Sequence, residues 1–270
     1  MRAPLRADAA DLSRVSAYYD AFADVAEERY TSNLILVRVR EAFRRAVERY
    51  APSSMLDLGC GPGTDLVYFA ERYPDRRYVG VDVSERMVEV ARTKLAAVSG
   101  ARVERGCAED LPALLHGERF DLVYSFFGPL NTEPDLRRAA RALREVVAPG
   151  GVLILSFVNR VYVLDSALLV LRGRPRRAMA RVADRWRGYS ESRPLDARLY
   201  FPRTIADRFR PWFRIEHREG LSIAYPAWYR VQRFRADSSL LRALWVGDRL
   251  LNRTPLWCTG EHLLYAFRAN

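Results

Sequence analysis

The sequence predicts an α/β protein built on a mostly parallel sheet with helices on both faces, and three features carry that prediction. Apolar runs of strand length alternate with segments of helical spacing from Met55 to Phe157. Those runs are apolar almost throughout instead of at every second position, the pattern of strands buried on both faces. The first run, Met55-Leu56-Asp57-Leu58, passes directly into Gly59-Cys60-Gly61-Pro62-Gly63-Thr64. A glycine turn thus sits where a strand hands over to a helix, at the carboxyl end where doubly wound sheets hold nucleotide-type ligands.

The elements follow in order. Asp11 to Tyr30 has helical spacing, with Val15, Tyr18, Tyr19, Phe22 and Val25 on one face. Asn33 to Tyr50 reads as a second helix with Leu34, Val37, Phe43 and Val47 inward, ended by Ala51-Pro52-Ser53. After the glycine turn, Thr64 is expected to cap a helix from Asp65 to Tyr73. Arg77 to Asp82 is the second strand, and Ser84 caps a helix from Glu85 to Val98. Ala101 to Gly106 and Asp121 to Phe126 are the third and fourth strands. Pro134 to Val147 is a helix stopped by Pro149-Gly150-Gly151, and Gly151 to Phe157 is the fifth strand. Beyond Asn159 the alternation breaks down: Val161 to Arg172 reads as an apolar helix, an arginine-rich segment leads into a helix to Trp186, and Tyr200 to Phe209 holds a short helix. Phe213 to Ile223 and His262 to Phe267 are strand-like. The expected organisation is residues 1–50 as helices over the ligand site, 51–159 as the binding core, and 160–270 as helical insertions plus the last two strands of the same domain.

With 270 residues, 49% of them hydrophobic, the chain can bury a full core and is not a disordered polymer. The residues from Met1 to Asp8 lack the apolar core of a secretory leader, and the apolar run Val161 to Leu171 contains Asp165 and is short for a membrane span. Cys60, Cys107 and Cys258 are odd in number and show no metal-ligand spacing, so a cytoplasmic protein without a metal is expected. The net charge is +11, and every basic residue but Lys94 is arginine, which fits codon bias and makes charge alone weak evidence for nucleic acid. Its distribution is more informative: residues 1–159 carry 22 basic and 23 acidic side chains, residues 160–270 carry 22 and 10.

A carboxylate selects among nucleotide-type ligands. Asp82 ends the second strand, 25 residues after Asp57, where a side chain in such a sheet meets a ribose and can accept from both hydroxyls. The glycines run Gly59, Gly61, Gly63 instead of the G-x-G-x-x-G of dinucleotide sites, and Asp57 and Asp65 flank the turn. Negative charge there suits a cationic ligand better than a pyrophosphate.

From about Tyr18 to Asn159 the chain resembles the class I S-adenosylmethionine (SAM)-dependent methyltransferases. Asp57 to Thr64 is similar to their first motif, Val79 to Ser84 with Met87 to their ribose-binding strand end, and Phe120-Asp121-Leu122-Val123 and Leu143 to Gly151 to two later motifs. The resemblance implies a Rossmann-like fold with seven strands, the last partly antiparallel, a helical C-terminal lid, and SAM as methyl donor with S-adenosylhomocysteine as product. It implies that Gly59 and Gly61 admit the methionine part, with Asp57 near its amino group. It further places Asp82 on the ribose, Val83 and Met87 against adenine, and Cys60, Gly63 and Ser125 in the cofactor's surroundings. The sequence departs from the family at Cys107, where an aspartate usually accepts from the adenine amino group; Glu109, Asp110 or the backbone at Ala108 are the alternatives.

Topology places the acceptor outside the ends of strands four and five, which nominates Phe126, Phe127, Gly128, Asn131, Asn159 and Tyr162, with Tyr18 and Tyr19 either packing or closing over the ligand. None of His116, His217 and His262 lies in a motif, so no general base is assigned. The apolar and basic C-terminal part, with Trp186, Trp212, Trp228, Tyr229, Trp245 and Trp257, is expected to cover the pocket. It fits a small, hydrophobic or lipid-like acceptor carrying a negative group, met in solution or transiently at a membrane surface. An RNA acceptor is a competing reading without a visible RNA-binding module; a SAM-binding subunit with no activity of its own is another.

Overall fold

A computed structural model describes residues 6–180, 185–186, 195, 197–235 and 238–270. Three helices open the chain: α1 (Arg6–Asp20), α2 (Ala23–Ser32) and α3 (Leu34–Glu48). The alternating unit follows as β1 (Ser54–Leu58), α4 (Thr64–Arg72), β2 (Arg77–Asp82), α5 (Glu85–Leu95), β3 (Ala101–Arg105), a 3-10 turn running into the short α6 (Leu111–Leu114), β4 (Phe120–Ser125), α7 (Leu136–Val146) and β5 (Val147–Val158). The remainder holds α8 (Val163–Leu171), α9 (Pro175–Ala180), the two-residue ribbon β6 (Arg185–Trp186) and β7 (Ala197–Arg198), α10 (Pro202–Phe209), β8 (Phe213–Leu221), α11 (Ser239–Leu251) and β9 (His262–Ala269).

Seven strands form one sheet in the order β3-β2-β1-β4-β5-β9-β8. Strands β1 to β5 pair in parallel, while β9 runs antiparallel to both β5 and β8. The order reverses beside β1 and β4, so the ends of those two strands flank the crevice where a ligand can enter. Apolar runs in the strands are explained by two cores. Met55, Tyr78, Leu122, Ile154 and Leu264 face one core with Phe43 and Val47 of α3 and Phe69 of α4. Their chain neighbours Leu56, Val79, Val123, Leu155 and Leu263 face the other with Leu143 of α7 and Phe209 of α10. Both faces of the pleat are buried, which removes any polar alternation.

Several expectations shift. The helix expected over Asp11–Tyr30 is two helices; α1 ends at Asp20, whose carboxylate accepts from Ser84 Oγ at 2.6 Å and from the Arg86 N–H at 3.2 Å. Val25, expected inward, is exposed; in α3 the inward stripe is Ile35, Leu36, Val39, Phe43 and Val47, with Leu34 and Val37 at its margin. Thr64 does not cap α4: the cap position is Gly63, in the left-handed region at φ 76°, and the Thr64 hydroxyl is buried without a partner. Asn33 does cap α3, accepting from the N–H groups of Ile35 and Leu36 at 3.1 Å. Of the helix expected to reach Trp186, residues 181–184 lie outside the described part; Pro175–Ala180 is helical and Trp186 belongs to the ribbon.

The C-terminal additions are pinned by polar side chains. Asp248 of α11, 2% exposed, accepts from the N–H groups of Ile223, Ala224 and Tyr225 at 3.1, 2.6 and 2.9 Å. Three backbone donors, two of them buried, depend on that one carboxylate. Asp248→Ala is therefore expected to cost about 3 kcal/mol or more of unfolding free energy, read as a lower urea midpoint with an unchanged slope; a midpoint equal to wild type would mean water satisfies those donors.

Candidate functional site

The glycine turn is built by two backbone constraints. Gly59 at φ 77° and Gly61 at φ 53° are left-handed, a conformation that disfavours any Cβ. A Cβ on Gly59 would also lie 2.3 Å from Pro129, whereas one on Gly61 would meet nothing within 4 Å. The first glycine is required for packing against the loop after β4, and the second leaves backbone facing open space. Gly59 and Cys60 both donate to Val81 O, at 2.7 and 3.2 Å, which fastens the turn to β2.

Asp82 is the centre of this arrangement. One carboxylate oxygen accepts from Gly61 N–H at 2.9 Å and the other from Ser84 N–H at 2.9 Å. Burial pushes its pKa up, against the pull of these two donors. Each oxygen keeps a lone pair for a ligand. Ser84 caps α5 by accepting from Met87 N–H at 3.1 Å and holds Asp20, so α1 is strapped across the end of β2.

These elements enclose a cavity of about 890 Å3, part of it open to solvent. Leu12, Val15 and Tyr19 of α1, Tyr30 of α2 and Arg40 of α3 form its cover; Asp57, Gly59, Cys60, Gly61, Asp82, Val83, Met87 and Cys107 lie on the sheet side, and Phe126, Phe127, Pro129, Thr132 and Glu133 come from the loop after β4. Asp57 is 3% exposed, and burial, reinforced by the nearby Asp65, pushes its carboxyl well above the usual range. A cation beside it would favour the ionised form. Asp65 itself adds no free negative charge, contrary to the sequence argument: it is paired with Arg40 and, at 2.7 Å, with Arg44 Nε. Arg40 Nε, Thr64 Oγ1 and Glu133 Oε2 are buried without partners and all three residues line the cavity. Three residues with unmet polar atoms around one space fit a polar ligand such as SAM.

Other expected residues have different positions. Gly63 packs on Ala91, and Ser125 Oγ donates to Leu58 O at 2.7 Å, tying β4 to β1 behind the cavity. Ala108 N–H donates to Glu133 Oε1 at 2.9 Å, Glu109 is paired with Arg138, and Asp110 accepts from Cys107 N–H at 2.9 Å. None of these five residues lines the cavity.

A second cavity adjoins the first. Tyr18, Tyr19, Phe22, Arg29, Tyr30, Leu36, Phe127, Trp228 and His262 line it. Tyr19, Tyr30 and Phe127 belong to both linings, so the two cavities meet at these residues. Phe127 holds the left-handed region at φ 60°, uncommon for a bulky residue and a cost of about 1–3 kcal/mol. Its ring lies parallel to Tyr30 at 6.3 Å, edge-on to His262 at 6.0 Å, and under the Arg40 guanidinium at 4.7 Å. Of the acceptor candidates, Tyr18, Tyr19 and Phe127 line this second cavity, and Phe126 lines the first. Asn131, Asn159 and Tyr162 line neither. Asn131 accepts from Val158 N–H at 2.8 Å and donates to Arg198 O at 2.6 Å, while Asn159 Nδ2 lies 2.6–2.8 Å from the carbonyls of Val161, Cys258 and Gly260. Gly128, also nominated, shapes that turn at φ 77°. The expected lid is narrower than predicted: α8 lines neither cavity and exposes Val163, Val170 and Leu171, its Asp165 paired with Arg230. Trp228 lines the second cavity, Trp212 and Trp257 pack under the far face of the sheet, and Trp245 packs on Tyr225.

Sequence reasoning missed Asp20, Arg29, Tyr30, Arg40 and Glu133, and left His262 unassigned. Arg40 alone had a local signal, a charge inside the apolar stripe Leu36, Phe43, Val47. No group of metal-ligating side chains occurs among the described residues, and no helix there is long and apolar enough to cross a membrane.

The profile of the methyltransferase-domain family matches residues 55–151. Malonyl-[acyl-carrier protein] O-methyltransferase of Pseudescherichia vulneris is 30% identical over 193 residues, 68% of this chain and 69% of that protein. Trans-aconitate 2-methyltransferase of Methylobacterium radiotolerans is 35% identical over 113 residues, 41% of this chain and only 40% of that protein. A SAM-dependent methyltransferase of Thermotoga maritima, described as a possible histamine N-methyltransferase, shares the fold with a TM-score of 0.58 at 19% identity, covering 94% of this chain and 98% of that one.

If Asp82 holds the ribose, Asp82→Ala is expected to weaken SAM binding by about 1.5–3 kcal/mol or more, measured by calorimetry; an unchanged affinity would move the ribose elsewhere.

Proposed function

This chain belongs to the class I SAM-dependent methyltransferases, and we propose that it transfers the methyl group of SAM to a small, apolar, ring-bearing acceptor seated in the aromatic cavity. The observation that supports this reading is that Tyr19, Tyr30 and Phe127 belong to both linings, so that a methyl donor held at the glycine turn and Asp82 can meet an acceptor where the two cavities adjoin. The sulfonium supplies an activated methyl carbon, so the protein's task is to align the two reactants and exclude water.

The second cavity has the chemistry of such an acceptor site. Six of its nine lining residues carry Tyr, Phe or Trp rings, which favour flat apolar groups. Arg29 stands at its mouth with its guanidinium 5.3 Å from the Phe22 ring centre and 5.4 Å from that of Trp228. It is exposed and can reach a negative group on the acceptor while the ring lies inside. His262, 5% exposed at the start of β9, is the histidine among the described residues that faces the cavity. A hydroxyl acceptor must lose its proton during transfer, and an imidazole is the group suited to take it. A hydrophobic hydroxy acid is accordingly the acceptor class that engages rings, cation and base together.

Incubation with methyl-labelled SAM and a panel of phenolic and aliphatic hydroxy acids, amines and RNA tests the reading. Label is expected in the hydroxy acids and absent from RNA; label in RNA alone would overturn it. His262→Ala is expected to lower kcat by about 10²-fold with S-adenosylhomocysteine affinity unchanged. Trp228→Ala should raise the acceptor KM; both parameters at wild-type values would remove this cavity as the acceptor site.

A further inference from the structure

The departure at Cys107 leaves the adenine amino group without its usual partner, and the residues considered as substitutes are occupied. Glu109 is paired with Arg138, Asp110 caps the turn at Cys107, and the Ala108 carbonyl accepts from Leu111 N–H. Glu133 is 6% exposed, belongs to the loop after β4, and reaches the turn after β3 from across the crevice. Its Oε1 is fixed at 2.9 Å by the Ala108 N–H, which orients the carboxyl group. Its Oε2 is buried and has no partner, and the residue lines the cofactor cavity with Gly106, Cys107 and Thr132.

The position in the sheet says what Oε2 meets. β3 is the outer neighbour of β2, with Arg105 in register with Asp82. A ribose held at Asp82 therefore projects its base over Val83 and Met87 toward the turn after β3, and the far edge of a purine arrives at Cys107 and Glu133. We propose that Glu133 is the residue that reads the adenine amino group, accepting N6–H at Oε2 in place of the side chain that Cys107 lacks. It is a specificity determinant recruited from a different loop, so the chain should discriminate strongly between adenosyl and deaminated, inosyl forms of the cofactor. A carboxylate repels the O6 carbonyl of the inosyl form, whereas a carboxamide can turn its NH2 toward it.

Protonation gives the inference a second signature. Burial pushes the Glu133 carboxyl up to about 7, with Glu109 and Asp110 adding to the shift and the Ala108 N–H opposing it. The other titratable groups around it are Cys107, itself pushed up to about 12 mainly by burial, and Tyr200, pushed up to about 12 mainly by burial. Accepting N6–H favours the ionised carboxylate, so ligand binding lowers its pKa and releases a proton when the pH lies below 7. Affinity should rise with pH up to about 7 and level off above it.

The inference rests on SAM occupying this cavity, and the test separates the two. S-adenosylhomocysteine and S-inosylhomocysteine are titrated into wild type and Glu133→Gln by calorimetry at pH 6 and pH 8, in buffers of different ionisation enthalpy. Glutamine keeps the acceptor for Ala108 N–H, so the fold is retained. Wild type is expected to prefer the adenosyl ligand by about tenfold to a hundredfold and to release a proton at pH 6. Glu133→Gln should lose most of that preference and the proton release. A variant that keeps the wild-type preference overturns the role of Glu133; failure of wild type to bind S-adenosylhomocysteine overturns the cofactor assignment itself.

Discussion

The carboxylate of Asp82 holds four pieces of the molecule in one place. Its two oxygens bind Gly61 N–H and Ser84 N–H, each at 2.9 Å, so the glycine turn and the start of α5 are clamped to the end of β2. Ser84 passes the constraint on through Asp20 to α1, which brings Val15 and Tyr19 over the cavity. Without that clamp, a turn containing three left-handed glycines would have many conformations open to it. The cost is a buried carboxyl whose ionisation is disfavoured by desolvation, and the hydrogen bonds that offset it are the ones that shape the site.

The glycine turn and the strand end at Asp82 were legible because their parts are contiguous. Strand, glycines and the residue ending β2 lie within one β-α-β unit, and backbone geometry fixes what such a unit can present to a ligand. Residues that join across the fold left little local trace. Glu133 meets Ala108 from 25 positions away, and Asp20 meets Ser84 from 64; neither relation has a spacing to recognise. Asn131 and Asn159 lie in the loops that topology nominates, yet their amides are used on buried backbone groups. Strand ends leave such groups unpaired, and asparagine satisfies them as readily as it binds a ligand.

The cavity proposed for the acceptor follows a different logic. Its walls come from α1, α2, α3, the loop after β4, the segment at Trp228 and the start of β9, with Asn33 linking two of them through a 3.1 Å bond to Trp228 O. Elements so far apart in sequence can vary independently while the Asp82 clamp stays the same, which suits a fold that keeps one methyl donor and changes its acceptor. Among the described residues, no arginine after residue 160 lines either cavity, and neither do the exposed apolar side chains of α8 and α11, Leu171 and Leu250 among them. Among the described residues, the arginine that lines the second cavity is Arg29.

Central to this account is the identity of the ligand at the glycine turn and Asp82. Calorimetric titration of the purified chain with S-adenosylhomocysteine and, separately, with NAD addresses it directly. The geometry predicts saturable one-to-one binding of S-adenosylhomocysteine and no measurable heat from NAD. Tight NAD binding, with no response to S-adenosylhomocysteine, would contradict it.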